Sequence, residues 1–191
     1  MNIFILHNDP VIAAQDQCDK HVVKMIVESA QMLSTAHRMI DGTVEKRASK
    51  SGRTMVKYYK LPDKREDILY KAVHFNHPCS VWTRESCCNY SWHYEHFIAL
   101  CKEYTYRYGK VHSTETKLKD ILKKLPSNIN RSGGMTPFKL AMQSNPECVV
   151  HDLGGVNPVE TYRNFYQTKQ ERFKMEWTKR NTPRWFKHAS K

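Results

Sequence analysis

An imidazole and a carboxylate stand seven residues apart near the start of the chain, in Asp19-Lys20-His21 and Glu28. Seven residues make two turns of an α-helix, so the two side chains share one face if the segment is helical. Lys24 lies between them and adds a positive charge. This set suits acid–base chemistry on a phosphodiester or a sugar. The structural alternative is an ordinary amphipathic helix in which His21 is buried with a hydrogen-bond partner.

A second set of polar residues precedes a predicted helix in the middle of the chain. Asn76 and His77 stand directly before Pro78. Side chains and free backbone amides at a helix start can bind phosphate. The tryptophans that follow, Trp82 and Trp92, offer flat surfaces for bases. For these two rings a place in the core is the favoured interpretation, and Asn76 and His77 can equally cap a turn.

The end of the chain mixes basic and aromatic residues. The members that we single out are Lys179, Arg180, Arg184, Trp185, Phe186 and Lys187. Positive side chains beside aromatic rings suit a phosphate backbone with an unstacked base nearby. The alternative is a solvated helix face followed by a basic tail.

The net charge favours a polyanionic partner. The 191 residues include 31 Lys and Arg against 19 Asp and Glu, which gives a net charge of +12. Nucleic acid is the commonest partner of so basic a protein, and we expect DNA rather than RNA. No apolar run approaches the ~18 residues that span a bilayer, so no membrane partner is expected. We expect a monomer. A basic but otherwise ordinary soluble protein remains the alternative.

The six cysteines are irregularly spaced, and Cys87 and Cys88 are adjacent. We interpret them as free thiols in a reducing compartment, which predicts a cytoplasmic protein. Soft ligands for zinc occur in Cys18-x-x-His21 and in the group Cys79, Cys87, Cys88, His93 and His96. Paired CxxC motifs are absent, so we predict no metal. Nucleotide-binding glycine loops and GxSxG and HExxH motifs are absent too, and we predict no cofactor.

Most of the segments that carry these residues show helical periodicity. It predicts helices over about 11–39, 67–73, 80–108, 114–125 and 158–179, with one turn near 138–142. Asp9-Pro10 is typical of a helix start and Gly109 of a helix end. We therefore predict an all-α single domain over residues 1–191, with a short extended N-terminal arm. Residues 43–66 and 128–155 are predicted to be surface insertions.

In three places the sequence resembles the phage-type pyrimidine-dimer DNA glycosylases, which are also abasic-site lyases. That family has an Asp-x-His followed seven residues later by a Glu, as in Asp19-Lys20-His21 and Glu28. It has a His before a long helix, to which His77 can correspond. It ends in a Pro, a Trp, an aromatic and a Lys, as in Pro183-Arg184-Trp185-Phe186-Lys187. The three segments keep their order and cover about half of the chain. The chain also resembles a group of uncharacterised phage proteins, so a bacterial host's cytoplasm is the expected location.

The resemblance implies an all-helical fold and a specific mechanism. An N-terminal α-amine attacks the sugar C1′, an imine forms, and the backbone breaks by β-elimination. An α-amine suits this step because its reference pKa is about 7.7–8.0. Carried over, Glu28 is the acid–base residue and His21 supports it or contacts DNA. Arg84, Arg184 and Lys187 become phosphate contacts, and Trp185 and Phe186 pack against a displaced base.

The chain departs from the family at the nucleophile. The family exposes a Thr amine after its Met is removed, whereas Asn2 follows Met1 here. The amine is therefore assigned to Met1 or Asn2. Val27 and Gln31 stand where the family has arginines around its Glu. Two alternatives stay open: a non-catalytic nucleic-acid-binding protein, and an enzyme that cleaves the N-glycosidic bond of free nucleotides.

Overall fold

The computed structural model describes residues 1–49 and 51–189. Its helices and strands alternate unevenly along the chain. They are α1 (Pro10–Gln15), α2 (Asp19–Asp41), β1 (Thr43–Ala48), β2 (Met55–Lys60), α3 (Arg65–Ile68), α4 (Pro78–Glu85), α5 (Cys87–Tyr108), α6 (Ser113–Leu122), β3 (His151–Asp152), β4 (Gly155–Val156) and α7 (Pro158–Gln167). Short 3-10 turns occupy Pro146–Cys148 and Thr168–Glu171. Within the described residues, no helix is long and apolar enough to cross a membrane.

The predicted all-α class is wrong. The chain is 48% helical and 9% strand, with two small antiparallel sheets. β1 and β2 form a hairpin inside the predicted insertion 43–66, and β3 and β4 form a second one inside 128–155. The first hairpin turns at Gly52, whose φ of 72° suits a residue without a Cβ. Its lysines and arginines concealed a run of residues with strand propensity, including Val44, Val56 and Tyr59.

The core forms where α2 and α5 pack against each other. Val22, Ile26 and Leu33 recur at three- and four-residue intervals on α2 and are fully buried. From α5, Phe97 and Leu100 fill the facing side. This spacing places the apolar face of α2 inward and leaves the rest of the helix available for chemistry.

The predicted helix start at Asp9 and stop at Gly109 are both confirmed. The Asp9 carboxylate accepts the N–H groups of Val11 at 2.7 Å and Ile12 at 3.1 Å, so it caps α1. Gly109 ends α5 in the left-handed region at φ 70°. The predicted helix over 80–108 is broken at Ser86, which is extended and whose hydroxyl caps α5.

Three predicted helical segments are shorter than expected or absent. The segment at 67–73 holds only the end of α3, because buried Arg38 binds the carbonyls of Glu66, Leu69 and Tyr70. These bonds hold the segment against α2 in an irregular conformation. Residues 138–142 are not helical. The helix predicted over 158–179 is α7, which ends at Gln167, and a 3-10 turn continues it to Glu171.

The tail after residue 171 is held by tertiary bonds instead of helical ones. Thr178 donates its N–H to the Asp19 carboxylate at 3.0 Å, and Trp177 donates its indole N–H to the Asp16 carbonyl at 2.8 Å. Asp19 in turn donates its N–H to the Glu176 carbonyl at 2.8 Å. The tail therefore closes over the junction between α1 and α2.

The N-terminal arm is buried rather than exposed. Ile3, Phe4, Ile5 and Leu6 are all less than a tenth exposed, and they enter the core without regular secondary structure. Trp92 donates its indole N–H to the Asn8 carbonyl at 2.7 Å and fixes the end of the arm. Packing of these side chains therefore fixes the position of Met1.

Several histidines are buried in the neutral form, which predicts acid sensitivity. Burial lowers the pKa of His21 and of His37 to about 4, and that of His96 to about 3. In the unfolded chain each takes up a proton near its ordinary pKa of about 6.5. Stability is therefore full above about pH 6.5 and falls as the pH drops toward about 4.

We expect the free energy of unfolding to fall by about 1.4 kcal/mol per pH unit for each such histidine in that window. Urea unfolding at about pH 7 and about pH 5 measures it. Equal midpoints at the two pH values would contradict the neutral burial of these rings.

Candidate active site

The α-amino group of Met1 lies beside the carboxylate of Glu28. The two are 3.7 Å apart, measured from the nitrogen to Oε2. The same oxygen accepts the backbone N–H of Asn2 at 2.9 Å. The Glu28 side chain is only 13% exposed, and its Oε2 is held by the arm. An amino group and a carboxylate therefore meet at one place.

Asn2 fixes the arm so that the amine reaches Glu28. Its side-chain oxygen accepts the N–H groups of Ile3 at 2.8 Å and Phe4 at 3.0 Å. Its side-chain nitrogen donates to the Ala141 carbonyl at 3.3 Å. Phe4 has φ 56°, a left-handed conformation that is rare for a bulky residue. Such backbone strain persists only where surrounding structure imposes it, and it clusters at functional sites.

Lys24 brings a second amine to the same carboxylate. Its Nζ lies 3.2 Å from Glu28 Oε1, one helical turn away on α2. The Lys24 side chain is 65% exposed, whereas that of Met1 is 4% exposed. The site therefore contains two amines at one carboxylate, the α-amine of Met1 and the side-chain amine of Lys24.

His77 borders the amine from the start of α4. Burial lowers its pKa, the Met1 amine lowers it further, and the Glu28 carboxylate and the Met1 carbonyl raise it. His77 Nδ1 accepts the N–H of Cys79 at 3.3 Å, so the neutral ring carries its proton on Nε2. A neutral imidazole beside the amine can donate a hydrogen bond without adding charge.

Cys79 is excluded as a nucleophile at this site. Burial raises the pKa of its thiol to about 11. The thiolate is the reactive form, and it is scarce at neutral pH when the pKa is that high. The Cys79 sulfur instead contacts Tyr162 Oη at 3.7 Å, which is a packing role.

His21 lies on the same helix as Glu28 but supports the arm. Its ring stacks on Phe4, with centroids 4.7 Å apart. Tyr166 Oη accepts the N–H of Cys18 at 2.9 Å and forms a hydrogen bond with His21 Nδ1 at 2.7 Å. Among the described residues, no hydrogen bond joins His21 to Glu28. The ring contacts Phe4, so its effect on the site passes through the arm.

Asn76 and Arg84, the other residues predicted to act near the start of α4, differ in exposure. Asn76 is exposed directly before His77. Arg84 lies two turns further along α4 and is half-buried, and burial lowers its pKa. Its Nη1 has no hydrogen-bond partner among the described residues. Asn76 is therefore placed to meet a ligand, and Arg84 lies deeper in the fold.

The basic and aromatic residues at the C-terminus are not brought to Glu28. Arg180 bonds the Glu103 carboxylate at 2.6 Å, and Lys179 donates to the Tyr106 carbonyl at 2.9 Å. Trp185 donates its indole N–H to Asp16 at 2.8 Å, and Phe186 is only 6% exposed. Arg184 and Lys187 are exposed on this tail.

These bonds show what holds the tail in place. Phe186 is buried, and Trp185 is partly buried against Tyr166 and Phe186. The role predicted for this segment in binding nucleic acid stays a prediction, and the exposed pair Arg184 and Lys187 are its available contacts.

The periodicity of the sequence did not predict one basic feature of the surface. The hairpin of β1 and β2 carries exposed lysines on paired strands, among them Lys46 and Lys57. The available signal was the pair of six-residue runs that flank Ser51-Gly52-Arg53. A serine–glycine turn between two such runs is typical of a hairpin.

Comparison with known proteins adds no identification. A scan of protein-family models, a search of curated proteins and a search of solved structures each found no match. The resemblance to the DNA glycosylase/lyases therefore stays a prediction.

Proposed function

We propose that this protein is a DNA glycosylase/abasic-site lyase that acts on damaged or modified DNA through the Met1 α-amine and Glu28. The observation that carries the proposal is the 3.7 Å separation between the Met1 nitrogen and Glu28 Oε2. It joins residues 27 positions apart in sequence, and the buried arm holds them together. The net charge of +12 supports a polyanionic substrate.

The chemistry needs an amine and a proton carrier at one place. The neutral amine attacks C1′ of the damaged nucleotide, and the base leaves with the electron pair of its glycosidic bond. The bound amine then gives up a proton, the C1′–O4′ bond opens as O4′ takes a proton, and an imine forms. Loss of a proton from C2′ then breaks the C3′–O bond. Glu28 is the nearest carboxylate to the amine and is proposed to carry these protons. Acid–base distances often shorten when substrate binds, so 3.7 Å is compatible with this role.

The surrounding residues are proposed to position the reacting groups. Asn2 orients the arm, and its N–H holds Glu28 Oε2. His77 offers a hydrogen-bond donor beside the amine, and Lys24 and Asn76 are exposed where a phosphate backbone would approach. His21 supports the arm through Phe4.

The test is to trap the imine with borohydride on a duplex that contains one abasic site. We expect a covalent protein–DNA adduct that resists denaturation. A matched chain extended by two glycines before Met1 is expected to bind the same duplex but form no adduct, because its amine no longer lies beside Glu28. Salt-sensitive binding with no adduct from either chain would favour a non-catalytic DNA-binding protein. If neither binding nor adduct is seen, the proposal is wrong.

A further inference from the structure

The hairpin of β1 and β2, which we call the basic hairpin (residues 43–60), is unusually rich in uncompensated positive charge. The sequence of this segment holds six basic residues, Lys46, Arg47, Lys50, Arg53, Lys57 and Lys60, and one acidic residue, Glu45. Glu45 pairs with Arg47 at 2.7 Å. In the described part of the chain, Lys46, Arg53, Lys57 and Lys60 form no ion pair. These four side chains are exposed.

Two of these lysines face each other directly across the strands. Lys46 is opposite Lys57 in the antiparallel register, so both project from the same face of the hairpin. Opposed residues have Cβ atoms about 4.5–5.5 Å apart, and like charges at that distance destabilise the pairing. A bound anion relieves such repulsion. Lysines on exposed strands also discourage pairing with other chains, and their direct opposition here favours an anionic ligand on this face.

The hairpin is fixed rigidly to the helix that carries Glu28. Arg38 of α2 is 1% exposed and donates to the Tyr59 carbonyl of β2 at 3.0 Å. The same guanidinium pairs with Glu66 at 2.6 Å, just beyond the hairpin. Arg38 lies ten residues after Glu28, which is about 15 Å along the helix. That distance is about four base-pair steps of duplex DNA at about 3.4 Å each.

An exposed segment connects the hairpin with the candidate site. Residues 70–77 run back along α2: Tyr70 bonds Arg38 at 2.7 Å, Val73 bonds Thr35 at 3.1 Å, and His77 borders Met1. This stretch contains no acidic residue.

Two adjoining depressions follow the same segment. A groove of about 500 Å³ is lined by hairpin residues together with Lys71 and Phe75. A second depression, of about 350 Å³, is lined by Phe75, His74, Asn76 and His77. The two depressions share Phe75 and lead from Lys57 and Lys71 to His77, which borders the Met1 amine.

We propose that the basic hairpin is an arm that binds the phosphate backbone of duplex DNA several base pairs from the reacting nucleotide. This inference rests on the proposed function for the location of that nucleotide. Lys46 and Lys57 bind phosphate oxygens, and Lys71 extends the contact toward the site. The strands supply a stiff support, since their base is bonded to α2.

The test compares two double variants with the same loss of charge. Lys46→Ala/Lys57→Ala removes the opposed pair, and Lys102→Ala/Lys110→Ala removes two exposed lysines of or next to α5. Affinity for a fluorescent duplex with a non-cleavable abasic analogue is measured by anisotropy over a range of salt. We expect the hairpin variant to bind about 30-fold more weakly at about 0.15 M salt, with a salt slope lower by about 1.8. The control is expected to change by less than about 2-fold.

A single variant separates binding from folding. Lys46→Glu places opposite charges across the strands, so its melting temperature should equal or exceed that of the parent chain. Its DNA affinity should nevertheless fall. A loss of affinity that accompanies a lower melting temperature would overturn the proposed role of the hairpin, because unfolding would then explain the weaker binding.

The outcomes also separate this inference from the proposed function. If the hairpin variant binds like the control while the parent chain still forms the imine, the arm is wrong and the enzyme proposal survives. If the hairpin variant loses affinity and the parent forms no imine, the arm stands and the enzyme proposal fails. If the parent does not bind duplex DNA, both are wrong.

Discussion

Glu28→Gln is expected to lower the rate of strand cleavage at an abasic site by about 10²–10⁴-fold, which is the usual contribution of general acid–base catalysis. Glutamine keeps an oxygen that can accept the N–H of Asn2, so the arm should stay in place. The amide cannot carry a proton between the amine and the sugar. Affinity for the same duplex should stay equal or rise, because a negative charge is removed beside a phosphate backbone.

The matched control is Glu95→Gln, which makes the same change on the exposed surface of α5. Single-turnover cleavage is measured for both variants with protein in excess over DNA. If Glu28→Gln cleaves as fast as Glu95→Gln, Glu28 takes no part in proton transfer. If it loses binding and cleavage together, Glu28 has a structural role instead.

Arg38→Leu is expected to lower the free energy of unfolding by about 3–5 kcal/mol. Arg38 donates to the carbonyls of Tyr59, Leu69 and Tyr70 at 2.7–3.0 Å and pairs with Glu66. Leucine leaves all of these groups without their buried donor. Burial alone raises the pKa of Glu66, but bonds from Tyr58, the Leu61 N–H and Arg38 lower it to about 2. The carboxylate is therefore charged and loses its main counter-ion.

Chemical unfolding in urea measures this loss. Arg47→Leu is the control, since Arg47 is 41% exposed and its surface ion pair is worth about 1 kcal/mol or less. The double variant Arg38→Leu/Glu66→Gln should be less destabilised than the sum of the two single variants, because no unpaired charge remains. Strict additivity would mean that the pair does not couple α2 to the hairpin.

Signals that act over a few residues made parts of the fold predictable. Asp9-Pro10 begins a helix through the side-chain bonds of Asp9 and the backbone preference of Pro10. Gly109 ends a helix through its own backbone preference. The apolar spacing of α2 identifies its buried face without further information. The pairing of Met1 with Glu28 followed from a family resemblance and not from spacing, since nothing local brings residues 27 positions apart together.

Tertiary bonds decided what the sequence pattern did not reveal. Arg38 binds backbone carbonyls of the segment predicted to be helical over 67–73, and that segment is irregular. A single arginine within a helical pattern gives no sign of such a role. Asp19 likewise holds the tail by binding Thr178. The strands of the basic hairpin were concealed because charged residues outweigh Val44 and Tyr59 in the pattern. The first two errors arose where a distant partner set the conformation, and the third where charged residues masked strand propensity.

The most direct measurement is to digest the borohydride-trapped adduct and identify by mass spectrometry the residue that carries the DNA. Two amines lie at the Glu28 carboxylate, those of Met1 at 3.7 Å and Lys24 at 3.2 Å. We predict that the adduct maps to the α-amine of Met1 and that Lys24→Ala still forms it. An adduct on Lys24, lost in Lys24→Ala, would contradict the N-terminal amine as the nucleophile.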